Sequence, residues 1–135
     1  MDRVFLDANV LFSAAWRGGG RMSALWALPQ TRLITCEHAV TEARRNLPDE
    51  ATVRVLDALL REVLIADQAG PVVRLPGIAA NLPEDDKPIL ESAISIRASH
   101  LLTGNDHDFG MMYGRRVVGV LVLRPSTYLA ARQQR

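Results

Sequence analysis

Acidic side chains fall at four places where an apolar run ends or a helical pattern begins: Asp7, Glu42, Asp85-Asp86, and Asp106 with Asp108. Asp7 follows Val4-Phe5-Leu6, and Asp106 follows Leu101-Leu102 by a few residues. In a parallel α/β sheet the carboxyl ends of strands converge on one edge, where ligands bind. Carboxylates gathered there repel one another unless a cation lies between them. Hard oxygen donors of this kind select Mg²⁺ or Mn²⁺. Metal-assisted phosphodiester chemistry is the leading expectation: one metal polarises a phosphoryl oxygen and acidifies water, and two stabilise the attacking and leaving oxygens.

Each acid also has a plainer role available. Asp7 can cap a helix, with Asn9 orienting its carboxylate from behind. Glu42, one helical turn after His38, can be a solvated helix residue. Asp85-Asp86 complements the dipole at a helix start. Asn105-Asp106-His107-Asp108 can be a polar loop. Their joint placement at strand ends and helix starts raises the chemical reading above these.

The elements that must position them are legible as alternating strands and helices. Strands are expected at Arg3–Leu6, Leu33–Thr35, Val72–Leu75, Leu101–Leu102 and Val117–Leu123. Asn9 is expected to cap a helix through Leu11, Phe12 and Trp16, followed by the break Gly18-Gly19-Gly20. Further helices are expected through Met22, Leu25 and Trp26, over Glu37–Leu47, over Thr52–Ile65, and from Asp86 to about Ser99. Pro125 fits the first turn of a closing helix through Tyr128 and Leu129. This pattern predicts a three-layer α/β/α arrangement around one central parallel sheet of about five strands.

Bulk properties bound the rest. At 135 residues, 1–135 is expected to be a single domain. Apolar residues make up 48%, in the globular range. No apolar run is long enough to span a bilayer, and the start of the chain lacks a signal-peptide layout. The single Cys36 excludes an internal disulfide framework, so a cytoplasmic location is expected. Net charge is +1, and Lys87 is the only lysine among 16 basic residues. Arginine suits phosphate contacts, but an arginine bias also follows from genome base composition.

These residues resemble the PIN-domain nucleases, including the VapC-like toxins of bacterial toxin–antitoxin pairs. The resemblance runs through Val4-Phe5-Leu6-Asp7-Ala8-Asn9-Val10-Leu11, through His38 to Leu47 around Glu42, through Asp86-Lys87-Pro88-Ile89-Leu90, and through Leu101 to Gly110. It implies a PIN-like fold and a divalent-metal-dependent endoribonuclease. It implies Asp7, Glu42, Asp86 and Asp106 as catalytic acids and Asp7, Asp86, Asn105 and Asp106 as metal ligands. Asn9 and Thr103 would orient them. Asn105 departs from the aspartate usual after Thr-Gly; it offers a carbonyl oxygen without charge, and Asp106 or Asp108 can substitute. A small cognate antitoxin and a homodimer are also implied.

Arg17, Arg21, Arg44 and Arg45 are candidate RNA contacts. Gly18-Gly19-Gly20 lacks the Lys-Ser/Thr of a P-loop. His38, His100 and His107 have no zinc-like spacing. Phe12, Trp16 and Trp26 fit a core stripe or a partner surface. Two other readings compete: a catalytically weakened or inactive PIN-like RNA- or protein-binding domain, suggested by Asn105, and an aspartyl phosphotransferase with Asp7 as nucleophile. Asn9 stands where such phosphatases carry a second Asp.

Overall fold

The computed structural model describes residues 1–66 and 73–134, and of residues 17–19 the backbone alone. Six strands form one sheet: β1 (Asp2–Leu6), β2 (Thr31–Cys36), β3 (Leu64–Ala66), β4 (His100–Leu102), β5 (Arg116–Val117) and β6 (Val120–Leu123). Their order is β3-β2-β1-β4-β6-β5, parallel except for β5 against β6. Val4, Phe5 and Leu6 are all buried, as a strand covered on both faces requires. Helices α1 (Ala8–Ala15), α2 (Glu37–Asn46), α3 (Glu50–Leu60), α4 (Lys87–Ser95), α5 (Asp106–Phe109) and α6 (Pro125–Gln133) connect or flank the strands.

The strand order reverses direction at β1. The chain goes from β1 outward to β2 on one side, and later returns to lay β4 on the other. A crevice opens at such a switch point, beyond the carboxyl ends of the two strands. Leu6 is paired with Leu102, so the residues that follow them, Asp7 and Thr103, emerge side by side. The Asp7 amide donates to the Leu102 carbonyl at 3.1 Å, extending the ladder to the edge of the crevice.

The expected elements are displaced in several places. Asp7, not Asn9, caps α1, its carboxylate accepting from the Ala8 amide. The helix expected through Trp26 is a 3₁₀ helix over Arg17–Ala27. The third strand is β3, not Val72–Leu75: residues 73–75 are irregular, and Val72 lies outside the described residues. Buried Val63 continues the helical spacing of Leu56 and Leu60 past the end of α3, which hides the turn into β3. The run Val117–Leu123 is a hairpin rather than one strand, because Val118 and Gly119 take φ of 48° and 85°. Positive φ at both central residues is what a two-residue type I′ connection demands.

At α4 the helix stops at Ser95, short of Ser99. Arg97 takes φ of 56°, the Ala98 amide donates to the Ala93 carbonyl at 2.9 Å, and the Arg97 amide to Ile94 at 3.0 Å. This is a Schellman ending with arginine where glycine is usual. The last helix is tied to the first strand. Tyr128 Oη donates to Asp2 Oδ2 at 2.7 Å, and Arg132 donates to Thr31 Oγ1 and the Pro29 carbonyl, both at 2.6 Å. Among the described residues no helix is long and apolar enough to cross a membrane.

Candidate functional site

Asp7 is 3% exposed, at the deepest point of the crevice. Its Oδ1 accepts from the Ala8 amide at 2.7 Å; its Oδ2 accepts from Thr103 Oγ1 at 2.8 Å and Asn9 Nδ2 at 3.1 Å. Burial pushes its pKa up, against the pull of those donors. Thr103, fully buried, also accepts from the Asn105 amide at 3.1 Å. Asn9 Oδ1 in turn accepts from the Gly104 amide at 2.7 Å. A Cβ at Gly104 would lie 3.3 Å from that oxygen, so glycine lets the two loops close together. Asn9 and Thr103 thus fix the direction of the Asp7 carboxylate.

Asp7, Glu42, Asp86 and Asn105 line one open cavity of about 500 Å³, together with Ala8, Asn9, Phe12, Asn46 and Gly104. Glu42 reaches it from α2. His38, one turn earlier, holds α2 against the segment before α4 through a 2.8 Å hydrogen bond between its Nε2 and the Asp85 carbonyl. Asp86 occupies the capping position of α4, yet its side chain makes no capping hydrogen bond. Its carboxyl is pushed up to about 7, first by burial, then by a hydrogen bond with Asp108 and by the charges of Asp108, Asp7 and Glu42. Asp108 is pulled down to about 2 by Asp86, His107 and Asn105. The two carboxyls therefore hold one proton as a pair between about pH 2 and 7.

The final acidic segment splits. Successive helical residues turn by about 100°, so Asp106 and Asp108 point in nearly opposite directions while Asn105 and Asp108 share a face. Asp106 faces away from the Asp7 cavity. Its Oδ1 accepts from Tyr113 Oη at 2.7 Å and Arg124 Nε at 3.0 Å, and these donors hold its pKa low. The Arg124 guanidinium lies 4.6 Å over the Tyr113 ring. The expectation of Asp106 as a ligand and catalytic acid thus meets a carboxylate already engaged elsewhere, and Asp108 is the acid brought to Asp86. Asn105 caps α5: its Oδ1 accepts from the Asp108 amide at 3.2 Å and its Nδ2 donates to Asp108 Oδ2 at 3.0 Å. That amide orients Asp108, a role the sequence pattern concealed, although the i, i+3 spacing carried the signal.

The arginines are dispersed. Arg44 pairs with Asp57 of α3. Arg45 lines a shallow groove with Glu42, His38 and Asp85. Arg21 is exposed on the 3₁₀ helix, and the side chain of Arg17 lies outside the described residues. His107 is exposed, its Nδ1 2.8 Å from Asp108 Oδ1. Cys36 is buried at the end of β2.

The cavity's donors are carboxylate and amide oxygens, the chemistry hard divalent cations take. Among the described residues, no three acidic, histidine or cysteine side chains are grouped closely enough to hold a metal ion as they stand. Burial raises the pKa of both Asp7 and Asp86, repulsion from Asp108, Asp7 and Glu42 adds to it at Asp86, and a cation would favour the ionised forms of both.

The fold has close counterparts among solved structures. VapBC2 from Rickettsia felis, bound to a DNA fragment from their promoter, matches with a TM-score of 0.64 at 15% identity, over 90% of this chain and 98% of that one. VapBC-1 from nontypeable Haemophilus influenzae matches with a TM-score of 0.59 at 16% identity, over 92% and 98%. No curated protein sequence matches the chain. The family model described as PIN domain matches residues 3–107, a span that carries Asp7, Glu42, Asp86 and Asn105 together. The chain belongs to the PIN domain family.

Proposed function

We propose that this protein is a divalent-metal-dependent endoribonuclease of the VapC-like toxin type. The observation that carries the reading is the buried Asp7 carboxylate, aimed by Thr103 and Asn9 into a cavity shared with Glu42 and Asp86. Asp7, Glu42 and Asp86 would hold Mg²⁺ or Mn²⁺, with Asp108 rather than Asp106 as the further acid. When bound, the metal supplies charge stabilisation at the phosphate and a more acidic water. The protein's part is to fix the donors. Thr103 and Asn9 hold Asp7 in one orientation, and Asn105 holds Asp108. A metal held there would compete with the proton on the Asp86–Asp108 pair, so its affinity should rise with pH.

The VapBC likeness, together with membership of the family, supports a small antitoxin as a partner; a homodimer and a cytoplasmic location complete the proposal. A second reading is a PIN-like binding domain with weakened or absent catalysis. It is favoured by Asn105, whose carbonyl is committed to capping α5.

Cleavage of a mixed RNA pool with Mn²⁺, Mg²⁺ or EDTA separates the two. The nuclease reading expects metal-dependent cutting that Asp7→Asn lowers by about 100-fold or more, since loss of a ligand forfeits several kcal/mol of stabilisation. Cutting that persists in the variant sinks the site; a folded wild-type protein that never cuts favours the binding domain.

A further inference from the structure

The acid cavity has a second half that metal chemistry does not use. Phe12 on α1 and Asn46 at the end of α2 line it alongside the carboxylates. Asn46 lies one turn beyond Glu42 on α2, and Phe12 one turn beyond Ala8 on α1. One turn advances a side chain by about 6 Å along the helix axis. On α2 the Asn46 amide is therefore offset from the Glu42 carboxylate by roughly the reach of a ribose. Phe12 is half-buried and stacked on Trp16, with ring centroids 5.5 Å apart and planes 17° from parallel. That stack stiffens the ring from behind. Asn46 is exposed, and its side-chain amide makes no hydrogen bond among the described residues. An aromatic ring and an unengaged amide on the wall of one cavity are the groups that receive an unpaired base. The ring takes the base's face, and the amide's donors and acceptor meet its edge.

We propose that Phe12 and Asn46 form a nucleobase subsite that selects unpaired RNA next to the acidic centre. This rests on reading that centre as a ribonuclease site. A base held in a duplex presents neither face, so the subsite restricts the substrate to single-stranded segments, loops or ends. Asn46 gives the subsite a preference among bases, because its donors and acceptor match some edges better than others. The bland alternative is that Phe12 merely closes the core over Trp16.

The test is binding of a fluorescent six-nucleotide phosphorothioate RNA in Mg²⁺, read by anisotropy. Its counterparts carry one abasic ribose at each position in turn. One abasic position should weaken binding roughly 5- to 100-fold, the range for losing one base–aromatic stack. Phe12→Leu should cause a similar loss that does not add to the abasic one, and Phe12→Tyr should restore wild-type binding. Asn46→Ala, on an exposed helix end, should flatten the preference among oligomers of the four bases without unfolding the protein. The proposal is overturned if Phe12→Leu binds as tightly as wild type, if its loss adds fully to every abasic loss, or if Asn46→Ala leaves base preference unchanged. RNA bound in a Phe12-dependent way but never cut in Mn²⁺ or Mg²⁺ would overturn the nuclease reading alone.

Discussion

The buried hydroxyl of Thr103 donates to the carboxylate of Asp7, 2.8 Å away and 96 positions earlier in the chain. Neither residue could be placed by its neighbours in sequence. Both follow the last residues of adjacent parallel strands, and the bond joins the two banks of the crevice.

Removing that bond while keeping the volume should loosen Asp7 without emptying the core. Thr103→Val is expected to reduce metal affinity or cleavage by about 10- to 100-fold, the usual cost of losing an orienting partner. Thr103→Ser keeps the hydroxyl and should stay near wild type. Metal titration of both variants checks this; equal losses would mean that packing, not the hydrogen bond, matters there.

Asp106 and Asp108 should respond oppositely. Asp108→Asn removes the acid beside Asp86 and is expected to lower cleavage by about 100-fold, in line with losing metal-site charge. Asp106→Asn disturbs only its exposed contacts with Tyr113 and Arg124 and should leave cleavage near wild type. Side-by-side rates decide between the two acids, and a dead Asp106→Asn with a live Asp108→Asn would reverse the assignment.

Stability in the absence of metal should fall as pH rises from about 4 to about 7. Asp86 titrates near 7 in the folded protein against an ordinary 3.8, and Asp7 is shifted in the same direction. Between those values the folded state keeps a proton that the unfolded state has lost, so raising the pH favours unfolding. Above about 7 the Asp86 penalty is constant. Asp108, lowered to about 2, acts in a separate window: its contribution is present above 3.8 and is lost as pH falls toward 2. The Asp86 share of the decline is expected to be on the order of 1–2 kcal/mol, allowing for solvent screening of this partly exposed group. Denaturant unfolding in EDTA at several pH values measures it, and Asp86→Asn should remove the Asp86 share of the slope.

Val118 holds a positive φ that a β-branched residue tolerates poorly, and it is 59% exposed. Val118→Asn creates the Asn-Gly pair favoured in two-residue hairpins. It should raise stability by about 0.5–1 kcal/mol with no change at the acidic centre, about 2–4 °C in melting temperature for a domain of this length. A lower melting temperature would show that the Val118 side chain contributes packing that outweighs its backbone strain.

These same residues show where the sequence was readable. β1, β2, α2 and β4 follow their hydrophobic patterns closely, because buried parallel strands and amphipathic helices write their burial directly into residue type. The acids were legible for that reason: each sits at the end of such a pattern. Endings made against propensity were not legible. Arg97 ends α4 in a conformation that usually announces itself with glycine, and Val118 turns a hairpin that looks like one strand. The difference between Asp106 and Asp108 was equally hidden. It depends on which face of a one-turn helix meets the cavity, and only the tertiary positions of Tyr113 and Arg124 settle that.

The reversal of strand order at β1 has a consequence in time as well as in space. β1 is the first strand of the chain, but the partner that completes the edge beside Asp7 is β4, which follows most of the helices. Pairing so distant in sequence is reached late, after many local contacts have formed. Until β4 docks, Asp7 has no Thr103 and no Gly104 loop to hold Asn9, and its carboxylate remains open to water and untethered. A fragment ending before His100, even one that collapsed and formed helices, would carry three of the acids and no organised centre. Whatever the acidic crevice does, it does only once the whole sheet has closed around it.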